Sequence, residues 1–166
     1  MLFMLLVQAG KPEIRIPDLE RHFHASVNFE RRTGGLPTLE WDDALAKLAR
    51  AHSEDMVARG YFKHVNPEGE TPMKRLQAAG YDKCRLIGEN IHQNVLYSRA
   101  ITERKKTTYD WNSMERIAAT TMKDWMDSDG HRQNILEKKF TREGLGVAIS
   151  PDDKVYITQI FCGETS

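Results

Sequence analysis

Leu39-Glu-Trp-Asp-Asp-Ala-Leu-Ala-Lys-Leu-Ala-Arg-Ala-His-Ser-Glu-Asp-Met-Val-Ala-Arg59 is the stretch from which the fold class follows. Its apolar positions Trp41, Ala44, Leu45, Leu48, Ala49 and Met56 recur at three and four, the period of a helix that buries one face. Asp42 and Asp43 lie in the first turn, where carboxylates favour the helix dipole, and Arg59-Gly60 supplies the end. His52, four after Leu48 and four before Met56, sits on the same apolar face and reads as a core histidine.

Upstream, Pro17-Asp18-Leu19 opens a second helical stretch that runs to about Arg32 and is broken by Gly34-Gly35-Leu36-Pro37. Downstream, Asn66-Pro67-Glu68-Gly69 makes a turn, and Thr71 caps a short helix through Ala79 with Pro72 at its first position. Arg85 to Val95 reads as a strand, and Ser98 to Tyr109, carrying Arg99, Arg104, Lys105 and Lys106, as a solvated loop. Asn112 with Glu115 three residues on matches a capping box. Met114, Ile117, Ala118, Thr121, Met122, Trp125 and Met126 then hold helical period, with Gly130 as the stop and a further short turn over His131 to Leu136. Gly144 to Ile149 and Val155 to Phe161 form a hairpin. Helices first and a hairpin last predict an α+β layer structure, helices covering an antiparallel sheet.

The 166 residues suit one domain: an N-terminal arm or signal remnant over 1–17, and a single folded unit over 18–166. Lys plus Arg and Asp plus Glu both number 24, which removes the basic excess expected of a nucleic-acid binder. Mean hydropathy is −0.59, and no apolar run approaches the ~18–20 residues of a membrane span. The run Met1 to Val7 followed by Gln8-Ala9 has two readings: a shortened secretory signal without its basic start, or a strand or arm packed on the core.

Catalytic signatures such as HExxH, GxSxG, a Walker loop or GxGxxG after a strand are absent from the sequence. Three chemistry-bearing side chains stand beside turns. They are His64 after the long helix, Glu89 at a strand start in Gly88-Glu89-Asn90, and His131 at a helix break in Ser128-Asp129-Gly130-His131. A rigid scaffold can aim such edge residues into one site, though on spacing alone capping or solvated roles are the commoner account of them. His22, His24 and His92 read as solvated or capping. Trp41, Trp111 and Trp125 read as packing, and Arg104-Lys105-Lys106 as part of a solvated loop.

Seven segments in order resemble the CAP superfamily, which groups cysteine-rich secretory proteins, antigen 5 and plant pathogenesis-related proteins. They are Asn28-Phe-Glu-Arg31, Leu39-Glu-Trp-Asp-Asp-Ala-Leu45, Ala49-Arg-Ala-His-Ser-Glu-Asp-Met56, Tyr61-Phe-Lys-His64, Gly88-Glu-Asn-Ile91, Trp125-Met-Asp-Ser-Asp-Gly-His-Arg-Gln-Asn-Ile-Leu136 and Thr158-Gln-Ile-Phe161. The likeness is to the small prokaryotic branch and covers about residues 19–162. It implies an α-β-α sandwich, a central antiparallel sheet between helical layers, with a large cleft. In the family that cleft holds two histidines and two acids. The histidines match His64 and His131 and the first acid matches Glu89, while the second acid's place is taken by Ser128.

Two neutral imidazoles can bind a divalent ion such as zinc, so the resemblance implies His64 and His131 as metal ligands, with Glu89 as orienter, third ligand or general base. Two function classes stay open. One is a secreted, non-enzymatic module binding a small ligand, peptide, glycan, lipid or partner protein. The other is a metal-assisted peptidase or cell-wall hydrolase using His64, His131 and Glu89. Cys84 and Cys162 lie on strands that the implied sandwich can make neighbours, so a disulfide is possible. The rival reading pairs a Cys nucleophile with His64 or His131, but no papain-like or caspase-like surroundings accompany it.

Overall fold

The computed structural model describes residues 10–163, so both readings of Met1 to Ala9 lie outside the described residues. The elements in order are α1 (Ile16–Thr33), β1 (Glu40–Trp41), α2 (Asp43–Arg59), α3 (Pro72–Ala78), β2 (Leu86–Val95), β3 (Tyr97–Glu103), β4 (Lys106–Trp111), α4 (Met114–Asp127), α5 (Asp129–Leu136), β5 (Arg142–Ile149) and β6 (Lys154–Gly163). The main sheet has the order β1-β5-β6-β2, antiparallel except that the two-residue β1 runs parallel to β5.

Alternation along β6 assigns the two faces of this sheet. Val155, Ile157 and Phe161 join Leu19, Phe23, Ile117, Trp125 and Ile135 from α1, α4 and α5 in the larger core. Ile160 and Cys162 point the other way, onto Leu45, Ala49 and Leu76 of α2 and α3. The molecule is therefore an α-β-α sandwich, as the resemblance implies.

The α2 layer sits unusually close to the sheet because β5 offers it glycines. A Cβ on Gly146 would lie 1.9 Å from the Arg50 backbone nitrogen, and one on Gly144 2.1 Å from that of Ala46. Helix backbone cannot yield as a flexible side chain does. Gly146→Ala is expected to cost about 3 kcal/mol through overpacking, read as a lower urea midpoint; an unchanged midpoint would show that the helix floats freely over the strand.

Four local expectations are corrected. The long helix begins at Asp43 rather than Leu39. Glu40 and Trp41 pair with Arg142 and Glu143, and Asp42 caps the helix by accepting from Ala44 N at 2.9 Å and Leu45 N at 3.0 Å. The segment Ser98 to Tyr109 is not a loop but most of the β3–β4 hairpin, whose two turn residues Arg104 and Lys105 have φ of 43° and 68°. Tyr97, Tyr109 and Trp111 cluster at its base, with centroids 4.9–6.0 Å apart. The cap of α4 is Ser113, which accepts from Arg116 N; Asn112 is buried and its Nδ2 donates to Val95 O at 3.1 Å. Finally, the break between α4 and α5 falls at the extended Ser128, and Gly130 lies inside α5.

Cys84 and Cys162 form a disulfide with Cα atoms 5.2 Å apart. Neither thiol is therefore available as a nucleophile.

Candidate functional site

β2 is the edge strand of the main sheet, and its alternation sends neighbouring side chains into different layers. Ile91 packs with Met56 of α2, so Glu89, two residues earlier, also faces the α2/α3 layer. Asn90 and His92 face α4 and α5. Both layers bond to this strand, Arg75 of α3 through Glu89 and Asn134 of α5 through Glu89 and Asn90.

Glu89 is nearly sealed, with a side chain 2% exposed, and both of its oxygens are engaged. Oε1 lies 2.8 Å from His64 Nδ1, and Oε2 accepts from Nη2 of Arg75 on α3. The same guanidinium donates through Nη1 to the His64 carbonyl at 2.7 Å, so Arg75 holds both partners. His64 remains 47% exposed. With its Nδ1–H donated to a carboxylate, the outward Nε2 carries the free lone pair, the arrangement seen in metal-ligating histidines.

The segment that carries His64 is anchored from below. His52 is buried, as the apolar periodicity predicts, and its Nε2 lies 3.0 Å from the Lys63 carbonyl. Burial, aided by the nearby Arg75 charge, holds His52 below the usual imidazole range. It serves as a neutral hydrogen-bond donor under the loop rather than as a ligand.

His131 arrives from the opposite layer on α5. Its carbonyl accepts from Asn90 Nδ2 at 3.2 Å, and Asn134 Nδ2 donates to Asn90 Oδ1 at 2.8 Å and to the Glu89 carbonyl at 3.3 Å. Two asparagines thus stitch α5 to the strand that bears Glu89. Burial lowers His131 from the ordinary imidazole value, and the charge of His64 lowers it further. The lowering favours the neutral form of His131, in which the ring can donate a lone pair.

Two of the three histidines read as solvated or capping are packed against other side chains instead. His92 packs edge-on to Trp125 with centroids 6.4 Å apart, and its Nε2 lies 3.5 Å from Asp124. Burial depresses it most; Asp124 opposes this and His131 adds to it. His24 is four-fifths buried, with Nδ1 2.6 Å from the buried Glu143. His22 is 45% exposed, as expected. Of the tryptophans, Trp125 is fully buried in the core and Trp41 and Trp111 pack at its margin.

The donor set consists of two imidazoles and one carboxylate that is already engaged. His64 and His131 supply the two imidazoles, and Glu89 acts behind His64 rather than beside it. Among the described residues no three His, Cys, Asp or Glu side chains gather as a metal-holding group. Two imidazoles fall short of the three protein ligands that a catalytic zinc usually keeps. Arg75 is the site residue that sequence reasoning missed. Nothing in its spacing distinguishes it from Lys74 beside it, and only the fold places it against Glu89.

Comparison with known proteins follows the same outline. The family model described as "CAP: Cysteine-rich secretory protein family" matches residues 24–161. "Uncharacterized protein YkwD" of Bacillus subtilis (strain 168) is 33% identical over 120 residues, 72% of this chain but 38% of that protein. This chain therefore spans well under half the length of that relative. An extracellular protein containing a SCP domain from Bacillus anthracis superposes with a TM-score of 0.67 at 28% identity, covering 94% of this chain and 45% of that one. An outer surface protein from Borrelia burgdorferi gives a TM-score of 0.71 at 17% identity, covering 94% of this chain and 100% of that one, a likeness of fold.

Proposed function

The chain belongs to the cysteine-rich secretory protein (CAP) family, and from that premise we propose that it is an extracytoplasmic binding domain. Its recognition site is the edge of β2, where His64 and His131 offer imidazoles to a divalent ion such as zinc, or to a peptide, glycan or lipid ligand. The observation that carries this reading is the engagement of Glu89: one oxygen is taken by His64 and the other by Arg75, within a side chain closed to solvent. A carboxylate so held orients the imidazole. A general base, which the peptidase or cell-wall hydrolase alternative requires, needs an oxygen open to the proton it removes. When bound, a zinc ion would supply a Lewis-acid centre with vacant positions for a ligand's oxygen or nitrogen atoms. The chain's own part is to hold His64 by Nδ1 and to favour the neutral form of His131.

The extracytoplasmic placement is supported by the Cys84–Cys162 bridge, since disulfides persist outside the reducing cytosol. Among the described residues no helix is long and apolar enough to cross a membrane.

Calorimetric titration with zinc at pH 7.5 tests the site. Wild type is expected to bind weakly, His64→Ala and His131→Ala to lose binding while their circular dichroism stays unchanged, and Glu89→Gln to weaken binding by about 10–100-fold. If both histidine variants bind zinc as wild type does, the assignment is wrong. Turnover of a peptide or cell-wall substrate that vanishes in folded Glu89→Gln would favour the hydrolase instead.

A further inference from the structure

A continuous chain of buried polar side chains crosses the sheet from α1 to the helix that carries His131. It begins at His24, whose Nε2 lies 3.3 Å from Asn28 Nδ2. The Asn28 amide has its oxygen bonded to the Leu39 amide at 2.7 Å and its nitrogen to the Leu39 carbonyl at 3.1 Å, so it presents only a donor to the ring. His24 Nε2 is therefore the acceptor and Nδ1 carries the proton, which it donates to Glu143 Oε1 at 2.6 Å. The other oxygen of Glu143 accepts from Gln159 Nε2, also at 2.6 Å. Gln159 Oε1 then accepts from Asn90 Nδ2 at 3.1 Å, and Asn90 Nδ2 donates its second hydrogen to the His131 carbonyl. Glu143, Gln159 and Asn90 are each 0% exposed, so water does not compete for any of these groups.

Each of these amides has two possible orientations: the Leu39 backbone sets Asn28, the His131 carbonyl and Asn134 set Asn90, and Gln159 takes its orientation from Glu143. A carboxylate accepts only, so Glu143 obliges Gln159 to present its NH2, which turns the Gln159 oxygen toward the Asn90 NH2, the orientation of Asn90 that the His131 carbonyl and Asn134 also require. Gln159 has no second cue of this kind. We infer that Glu143, on β5 and separated from the edge strand β2 by β6, is a positioning residue for His131: its acceptor-only carboxylate orients Gln159, whose oxygen backs the Asn90 amide that locks α5 against β2. Arg31, wholly buried and held by the carbonyls of Pro37, Ile135 and Phe140, is the cation that feels its field.

An isosteric change separates this role from packing. In Glu143→Gln the new side chain has one acceptor for two donors. His24 cannot exchange roles, because Asn28 faces its other nitrogen. Gln159 must therefore flip and present its oxygen to residue 143, and its NH2 then opposes the NH2 of Asn90 and displaces that amide from the His131 carbonyl. The exchange variant Glu143→Gln/Gln159→Glu restores every bond: the residue 143 oxygen accepts from His24, its NH2 donates to the carboxylate at 159, and that carboxylate accepts from Asn90. Side-chain volumes and the number of buried charges are unchanged.

The readout is the backbone amide and imidazole nitrogen resonances of His131, with the side-chain amides of Asn90 and Asn134, in metal-free protein. These are expected to shift in Glu143→Gln and to return to wild-type positions in the exchange variant. Unshifted His131 resonances in folded Glu143→Gln overturn the inference, as does an exchange variant no nearer to wild type than the single one. Should Glu143→Gln fail to fold, the exchange variant decides alone: a folded chain with wild-type His131 resonances supports the inference, and failure to recover them overturns it. The inference rests on the candidate site for its consequence only. Absence of zinc binding in the wild type would sink the metal reading and leave these resonances to be judged separately.

Discussion

Arg75→Met is expected to destabilise the domain by about 3–5 kcal/mol, because it strands a carboxylate that the fold has sealed from water. The Glu89 side chain is 2% exposed and that of Arg75 11%, so solvent cannot replace the lost guanidinium. The substitution also removes the donor to the carbonyls of His64 and Glu70, which loosens the segment between α2 and α3. Two origins of the cost are separable. If it comes from an unpaired buried charge, the double variant Arg75→Met/Glu89→Gln recovers most of the loss, since an apolar residue beside a neutral amide carries no such penalty. If it comes from packing, the two substitutions add. Urea denaturation of wild type, both single variants and the double variant forms the complete cycle. A single-variant loss below about 1 kcal/mol would show that the pair behaves like an exposed surface bridge. It would also remove the reason for assigning Glu89 a structural role.

This pair shows where a linear sequence is informative and where it is not. His64, Glu89 and His131 are visible because each stands next to a turn, and a polar residue at a turn of a rigid scaffold invites attention. Arg75 sits mid-helix among Lys74 and Gln77, where a cation is unremarked, and its meaning comes entirely from tertiary placement. Glu143 and Gln159 fail for another reason. They occupy inward positions of β5 and β6, where period-two alternation calls for apolar side chains, and a lone sequence does not disclose that each finds the other. Local periodicity served better for the framework. The buried Leu45, Ala49 and Met56 of the α2 stripe, the Thr71 and Pro72 start of α3 and the β5–β6 hairpin are present as read, whereas Trp41 falls in β1 and Ala44 is exposed.

The missed hairpin has a specific physical cause. A two-residue turn with positive φ at both positions is normally announced by Asn-Gly or Asp-Gly, and here Arg104-Lys105 occupies it. Its strands are mostly charged or threonine, without the apolar alternation that marks a half-buried sheet. The contacts that organise it, Tyr97 with Tyr109 and Trp111, involve side chains 12 and 14 residues apart in sequence. The capping error at α4 is of the same kind. Asn112 and Ser113 are both competent caps, and burial of Asn112 against Val95 leaves the role to Ser113.

Removing the Cys84–Cys162 bridge is expected to cost about 4.5 kcal/mol by the chain-entropy model, given a sequence separation of 78. For a domain of this size that corresponds to a fall in melting temperature of roughly 10–15 °C. The bridge joins the segment entering β2 to the last strand, beside the Ile87–Cys162 register pair, so it pins one end of the edge strand that carries Glu89. An edge strand has a partner on one side only, and β2 is held laterally by β6 alone. Without the covalent link its first residues are expected to fray before the rest of the sheet, and the His64–Glu89–Arg75 cluster stands on the next turn of pleat. The Cys84→Ser/Cys162→Ser variant, melted with and without reductant, isolates the effect: it should respond to neither condition, whereas wild type should approach it only when reduced. Loss confined to less than about 1 kcal/mol would mean that the folded chain gains nothing from its bridge. Two free thiols in protein isolated without reductant would count directly against an extracytoplasmic home, because an oxidising compartment closes a pair whose Cα atoms already lie 5.2 Å apart.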